Sequence, residues 1–230
     1  MIHNLNYTPA VMKETILTYQ GDEIKVTWDK ERCIHAAECV HGLPKVFDTD
    51  RKPWIKPDMA ASDDLMNVIE KCPSGALHYE LKKSEQTEQA PEQNVINIEE
   101  DGPLYIHGEV VIKDLDGNVV LEDTRVAMCR CGKSKNKPLC DNSHIEAGFE
   151  ADTSYDPERL RTDPVKGKGG ELSVTLYENA PFLVEGNYDL IGDDTGRETC
   201  SKKMSFCRCG ASNTKPFCDG THKKVGFVSN

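Results

Sequence analysis

Two stretches hold the densest metal-binding side chains of this sequence: Cys129, Cys131, Cys140 and His144, then Cys207, Cys209, Cys218 and His222. Both follow the order C-x-C-x8-C-x3-H, so three thiols and one imidazole fall within sixteen residues, twice over. Soft and borderline donors at this density are the composition of a transition-metal site. Structural zinc generally uses C-x2-4-C pairs. A one-residue gap instead puts two thiolates on the same side of an extended segment, close enough to share one metal. The third cysteine and its histidine lie about one helical turn apart, on one face, and can bind a second. Gly132 and Gly210 permit a tight turn behind the first pair, and Pro138 and Pro216 stiffen the return to the third cysteine. Zinc in the same four ligands is the competing reading, because spacing alone does not exclude a borderline metal.

The repetition extends beyond the donors. Each ligand of the second set lies 78 positions after its counterpart, and at the same offset Pro103 meets Pro181, Gly108 meets Gly186 and Phe149 meets Phe227. An ungapped duplication of a whole module is implied, and two copies suit a pseudo-twofold pair better than a solenoid. Leu104-Tyr105-Ile106, Val110-Val111-Ile112 and Asn118-Val119-Val120-Leu121 read as short strands of the first copy, with Phe182-Leu183-Val184 and a turn at 193–196 in the second. Each metal loop therefore hangs below a small β-meander.

Upstream, Ile16-Leu17-Thr18-Tyr19 and Ile24-Lys25-Val26-Thr27-Trp28 flank Gly21-Asp22 as a hairpin. Ser62 looks like the N-cap of a helix running to about Lys71, with Asp63 and Asp64 in its first turn. Ala76 to Glu80 resumes as strand. The fold class is α+β: a small amino-terminal α+β domain over residues 1–83, an acidic linker over 84–101, the first module over 102–152, a connection and early second module over 153–179 and the rest of the second module over 180–230. The linker assignment rests on six acidic residues without Lys or Arg between Ser84 and Gly102. The stretch 151–170, with three glycines, is expected to be mobile.

Composition excludes several classes. A net charge of −11 opposes nucleic-acid binding, which needs clustered Lys and Arg. No apolar run approaches the ~20 residues of a membrane helix, and Met1 to Ala10 lacks a signal-peptide pattern, so a cytoplasmic location and metal thiolates rather than disulfides are expected. No nucleophile–base set or phosphate loop points to an enzyme. Cys200 matches Glu122 in the first copy and reads as a free thiol. His3, His78 and His107 read as surface or strand polar groups, and Trp28 and Trp54 as core. Arg130 and Arg208, each between two thiolates, either offset metal-site charge or face solvent.

Both loops match C-x-C-x2-S/T-x3-P-x-C-D-G-S/A/T-H, with Ser134 and Ser212 at the hydroxyl position and Asn142 the one departure, where the second copy has Gly220. This pattern resembles the CDGSH iron–sulfur family. The resemblance implies a [2Fe–2S] cluster on Cys129, Cys131, Cys140 and His144, and another on Cys207, Cys209, Cys218 and His222. It also implies that the two motifs form an intramolecular pseudo-dimer within a monomer. Cys33, Cys39 and Cys72-Pro73 resemble a bacterial ferredoxin motif whose middle cysteine is replaced by Ala36. That resemblance implies a divergent single-cluster domain with one [3Fe–4S] or [4Fe–4S] cluster, for which His35, with His41 behind it, is the candidate fourth ligand. Electron transfer with a redox partner protein is the expected function. The alternatives are a cluster carrier serving apo-proteins, a redox or pH sensor, and a zinc-stabilised interaction module.

Overall fold

A computed structural model of the chain describes residues 16–160, 169–193 and 195–229. Strands β1 (Ile16–Gln20), β2 (Ile24–Asp29), β3 (Leu77–Leu81) and β4 (Gln86–Thr87) form an antiparallel sheet in that order. Ile24, Val26 and Trp28 sit directly opposite Leu81, Tyr79 and Leu77, so the alternation of each strand builds one apolar face. Helix α2 (Ser62–Ile69) covers that face with Leu65, Val68 and Ile69, whose helical spacing makes a single stripe. Its cap residue is Ala61 rather than the expected Ser62, which is already the first helical residue. The shorter α1 (Glu38–Gly42) carries Cys39.

The remaining strands form one eight-stranded sheet. β5 (Val95–Ile98), β6 (Leu104–Lys113) and β7 (Val119–Met128) come from the first half. β8 (Glu171–Leu176), β9 (Phe182–Glu185), β10 (Tyr188–Gly192), β11 (Gly196–Cys200) and β12 (Met204–Phe206) come from the second. The sheet order is β11-β10-β5-β6-β8-β9-β12, with β7 paired to β6. The copies exchange strands reciprocally. Val95 and Ile96 run parallel to Asp189 and Leu190, and Ser173 and Val174 run parallel to Val111 and Ile112. A shift of 78 residues carries one ladder onto the other, and both bury side chains in one core around Phe182, Phe206 and Tyr188.

One expectation needs correction. The acidic stretch 84–101 is not a free linker: it supplies β4 and β5, with Asn94, Ile96 and Ile98 buried on alternate positions. The alternation Asn94-Val95-Ile96-Asn97-Ile98 outweighs the surrounding acidic charge, and Glu88 is itself buried against Arg125. The segment 153–179, the connection and early second module, contributes β8, and Tyr155 and Leu160 to the core, where the Tyr155 hydroxyl donates to the Leu190 carbonyl at 2.9 Å. The expected mobility of 151–170 falls partly on residues 161–168, outside the described residues, as does His3.

The two sheets are joined by buried charge. Arg32 donates to Asp123 at 2.6 Å and to the Ser74 and Arg125 carbonyls at 2.9 Å. Arg125 reaches both Glu88 oxygens (2.8 and 2.5 Å) and the carbonyls of Ile69, Cys72 and Leu77. His78, expected as a simple polar group, bridges Glu88 at 3.1 Å and Asp123 at 3.2 Å. Burial works against its charge, yet the bonds to Asp123 and Glu88 outweigh burial and hold His78 at about 9. Burial also opposes ionised Asp123, but His78 and Arg32 hold it at about 2.

A pH dependence follows. His78, raised from 6.5, contributes stability that is complete below pH 6.5 and lost as pH rises through about 9. Asp123, lowered from 3.8, contributes stability present above that value and lost as pH falls toward about 2. The alkaline loss should be on the order of 2–3 kcal/mol and should shrink in His78→Gln. Urea midpoints measured from pH 6 to 10 check this, and equal alkaline slopes in both proteins would refute it.

Candidate metal centres

Each metal loop is closed as a pinched hairpin. In the first, the Cys129 N–H donates to the Pro138 carbonyl at 2.9 Å and the Cys140 N–H to the Ala127 carbonyl at 2.8 Å. In the second, Cys207 donates to Pro216 at 2.8 Å and Cys218 to Ser205 at 2.9 Å. The motif hydroxyls lock the turn from inside: Ser134 donates to the Leu139 carbonyl at 2.6 Å and Ser212 to Phe217 at 2.7 Å. The motif carboxylates tie the far side. Asp141 accepts from the Lys135 and Ser143 amides, and Asp219 from Asn213 and Thr221. Asn142 and Gly220 both adopt left-handed backbone, with φ of 68° and 86°, so the departure from the motif leaves the loop shape intact.

The donors arrive as two pairs per loop. Cys129 and Cys131 Sγ lie 3.7 Å apart, and Cys207 and Cys209 Sγ 3.6 Å apart. Cys140 Sγ stands 3.4 Å from His144 Nδ1, and Cys218 Sγ 3.4 Å from His222 Nδ1. A tetrahedral metal with bonds of about 2.3 Å to sulfur and 2.0–2.1 Å to nitrogen separates two sulfurs by about 3.8 Å and a sulfur from a nitrogen by about 3.5 Å. Each pair therefore suits one metal. Among the described residues no three such side chains converge as they would around a single ion.

The electrostatics point the same way. A hydrogen bond from the Cys131 thiol holds Cys129 down at about 6 and pushes Cys131 up. Burial pushes Cys140 up to about 12 and Cys209 to about 11, and lowers His144, keeping its ring neutral. Buried thiols so raised ionise only beside a strong cation. Backbone N–H groups of Lys133 and Asn142 approach Cys131 and Cys140 Sγ at 3.4 Å, as those of Ala211 and Gly220 approach Cys209 and Cys218 at 3.5 and 3.4 Å.

Neither arginine faces solvent, and while burial works against the charge of Arg130, the nearby Cys207 favours it. Arg130 is almost fully buried and donates to the carbonyls of Gly102, Glu99, Ala151 and Asp152, with its guanidinium 5.4 Å from the Phe149 ring. It fastens the metal loop to the chain on either side of the module. Arg208, also buried, donates to the Tyr177 carbonyl at 3.2 Å and lies 5.7 Å from the Phe227 ring. Cys200 is a buried free thiol near Tyr188, away from the repeated ligands.

The two loops touch. A methyl group added at Gly132 would stand 2.7 Å from the Cys209 carbonyl oxygen, and one at Gly210 would stand 2.6 Å from that of Cys131. Both glycines have positive φ, 76° and 78°. Glycine is thus required for the turn and for the apposition of the copies.

In the amino-terminal domain, Cys33, His35, Cys39 and Cys72 line a cavity of about 460 Å³. His35 (φ 55°) and Ala37 (φ 65°) bend the segment between Cys33 and Cys39 around it, an unusual conformation for residues with a side chain. Trp28 and Trp54 pack against the amino-terminal core, as expected, and also line this cavity; the Trp28 indole N–H has no hydrogen-bond partner. Burial, then the nearby Cys72, pushes the Cys39 thiol up to about 11. Three thiols and an unpartnered donor around a space far wider than one ion fit a polynuclear, sulfur-rich group. His41 is exposed.

A family profile described as "Iron-binding zinc finger CDGSH type" matches residues 101–145 and 179–223, spanning all eight ligands of the paired loops. One described as "Divergent 4Fe-4S mono-cluster" matches residues 19–82. The chain carries two segments of the CDGSH iron–sulfur type. It joins two CDGSH segments to a divergent mono-cluster domain, and is an iron–sulfur protein. Over 64 residues it is 44% identical to "Uncharacterized protein YjdI" of Escherichia coli K12, a stretch covering 28% of this chain and 84% of that protein. The counterpart in Escherichia coli O157:H7 matches equally. No solved structure matches the chain. No helix among the described residues is long and apolar enough to cross a membrane.

Proposed function

We propose that this CDGSH protein carries three iron–sulfur clusters and passes single electrons between them and an external redox protein. Two [2Fe–2S] clusters are assigned to Cys129, Cys131, Cys140 and His144 and to Cys207, Cys209, Cys218 and His222. A [3Fe–4S] or [4Fe–4S] cluster is assigned to Cys33, Cys39 and Cys72, with His35 beside them. When bound, these groups supply reversible one-electron chemistry. The chain's own residues hold the thiols in pairs, set His144 and His222 beside Cys140 and Cys218, and bury Cys129, Cys131 and Cys207. The observation that carries the reading is the pairing of donors at single-metal spacing in each loop.

The reciprocal exchange of β5 and β8 supports reading the two CDGSH modules as a pseudo-dimer within one chain, a fused form of an isologous pair. No set of side chains in the paired loops suggests chemistry on a small molecule, so the chain serves as an electron-transfer component rather than an enzyme. Anaerobically purified protein should be brown and hold roughly seven to eight irons with matching sulfide. Colourless, zinc-rich protein would overturn the assignment. Reduced protein should transfer electrons to a one-electron acceptor without losing iron. Net movement of iron and sulfide into an apo-ferredoxin would favour the carrier reading instead.

A further inference from the structure

The two CDGSH sites are alike in ligands but not in neighbours. Ile34, between Cys33 and His35, is buried in a small cluster with Ala127 and Cys140, against Tyr105. Asn142 Nδ2 donates to the Ile34 carbonyl at 2.5 Å, and Asn136 Nδ2 donates to the Glu31 carbonyl at 2.9 Å. The amino-terminal ligand loop thus rests on the first metal loop.

The duplication supplies an internal control. At the 78-residue offset, Tyr105, Ala127, Asn136 and Asn142 become Leu183, Ser205, Thr214 and Gly220. Arg125 and Asp123, the charged part of the junction, become Lys203 and Ser201. Ligands, turn glycines, prolines and motif carboxylates are retained, whereas the residues meeting the amino-terminal domain differ. The departure of Asn142 from the family motif acquires a physical reason: its side chain reaches a second site.

Asn142 also closes a continuous route. Its backbone N–H points at Cys140 Sγ at 3.4 Å, while its side chain bonds the carbonyl one residue from Cys33. Beyond the first site, Gly132 and Gly210 pack each Cys-x-Cys segment on the carbonyl of the other. The three centres are therefore strung in one order, with the first CDGSH site between the others.

We infer that the first CDGSH centre is the obligatory middle station between the amino-terminal and second CDGSH centres, with Asn142 as the positioning residue joining it to the amino-terminal one. The inference rests on the electron-transfer reading above. In each step one cluster loses one electron and its neighbour gains it, with no bond made or broken. One-electron redox proteins at the two ends supply and remove the electron.

The test follows a flash-injected electron by freeze-quench electron paramagnetic resonance in the fully loaded protein. Asn142→Gly installs the second copy's residue, keeps the left-handed backbone and retains the amide facing Cys140. Iron, sulfide and the visible spectrum should match wild type, while exchange between the amino-terminal and first CDGSH signals slows by about tenfold. Asn142→Asp, of equal size but lacking the donor, should behave alike, and Gly220→Asn should leave the rate unchanged. In Cys140→Ala, which lacks the middle cluster, the electron should fail to reach the second site. An unchanged rate in loaded Asn142→Gly, or wild-type arrival at the second site in Cys140→Ala, would overturn the inference alone. No exchange between centres in wild type would overturn the electron-transfer reading and this inference together.

Discussion

Replacing Arg125 with leucine should lower stability by about 3–5 kcal/mol, the scale of removing one partner from a buried ion pair. Arg125 is 2% exposed, and its loss leaves Glu88 and the carbonyls of Ile69, Cys72 and Leu77 without this donor in the interior. Those carbonyls belong to the turn that carries Cys72, so the amino-terminal centre should suffer more than the paired loops. The expected result is a lower urea midpoint together with iron lost from the amino-terminal centre, while CDGSH absorption persists. Arg125→Lys keeps the charge but not the planar fork, and should lose less. Loss of under about 1 kcal/mol in the leucine variant, the worth of one ordinary hydrogen bond, would show that the network does not join the domains.

The second large effect is expected at the contact between the loops. Gly132→Ala places a methyl group 2.7 Å from the Cys209 carbonyl oxygen and forces a side chain onto left-handed backbone. Left-handed strain of about 1–2 kcal/mol and overpacking of about 1–3 kcal/mol add to a cost of about 2–5 kcal/mol. The obstruction is backbone, which has little room to yield. The displaced Cys209 belongs to the other copy, so one substitution should bleach both CDGSH clusters. Gly210→Ala should do the same in reverse. Gly220→Ala is the control: its φ is 86° but nothing lies within 4 Å, so strain alone should be felt, about 1 kcal/mol. Visible absorption after anaerobic purification reads all three, and full two-cluster absorption in Gly132→Ala would sink the argument.

The paired sites were legible in the sequence because their geometry is local. C-x-C and C-x3-H fix which donors meet through one extended segment and one helical turn, and the Gly and Pro between them fix the hairpin. The duplication was legible because its register never slips. The hairpin β1–β2, helix α2 and strand β3 were legible for the same reason, through alternation and helical spacing within a few residues.

What the sequence did not display depends on partners far along the chain. Glu88 looked like one charge of a solvated run until Arg125, 37 residues on, was seen to meet it in the interior. His78 had no ligand spacing because its partners, Glu88 and Asp123, lie 10 and 45 residues further along the chain. Strand β5 was hidden in a segment read as a linker, because acidic residues surround its short alternation and its outer edge is covered only by β10 of the opposite copy. The sequence by itself determined which donors stand side by side, since motif spacing and short loops are properties of adjacent residues. The tertiary structure alone decided that the sites touch, and in which order, because that depends on long-range pairing and buried charge that no local spacing encodes.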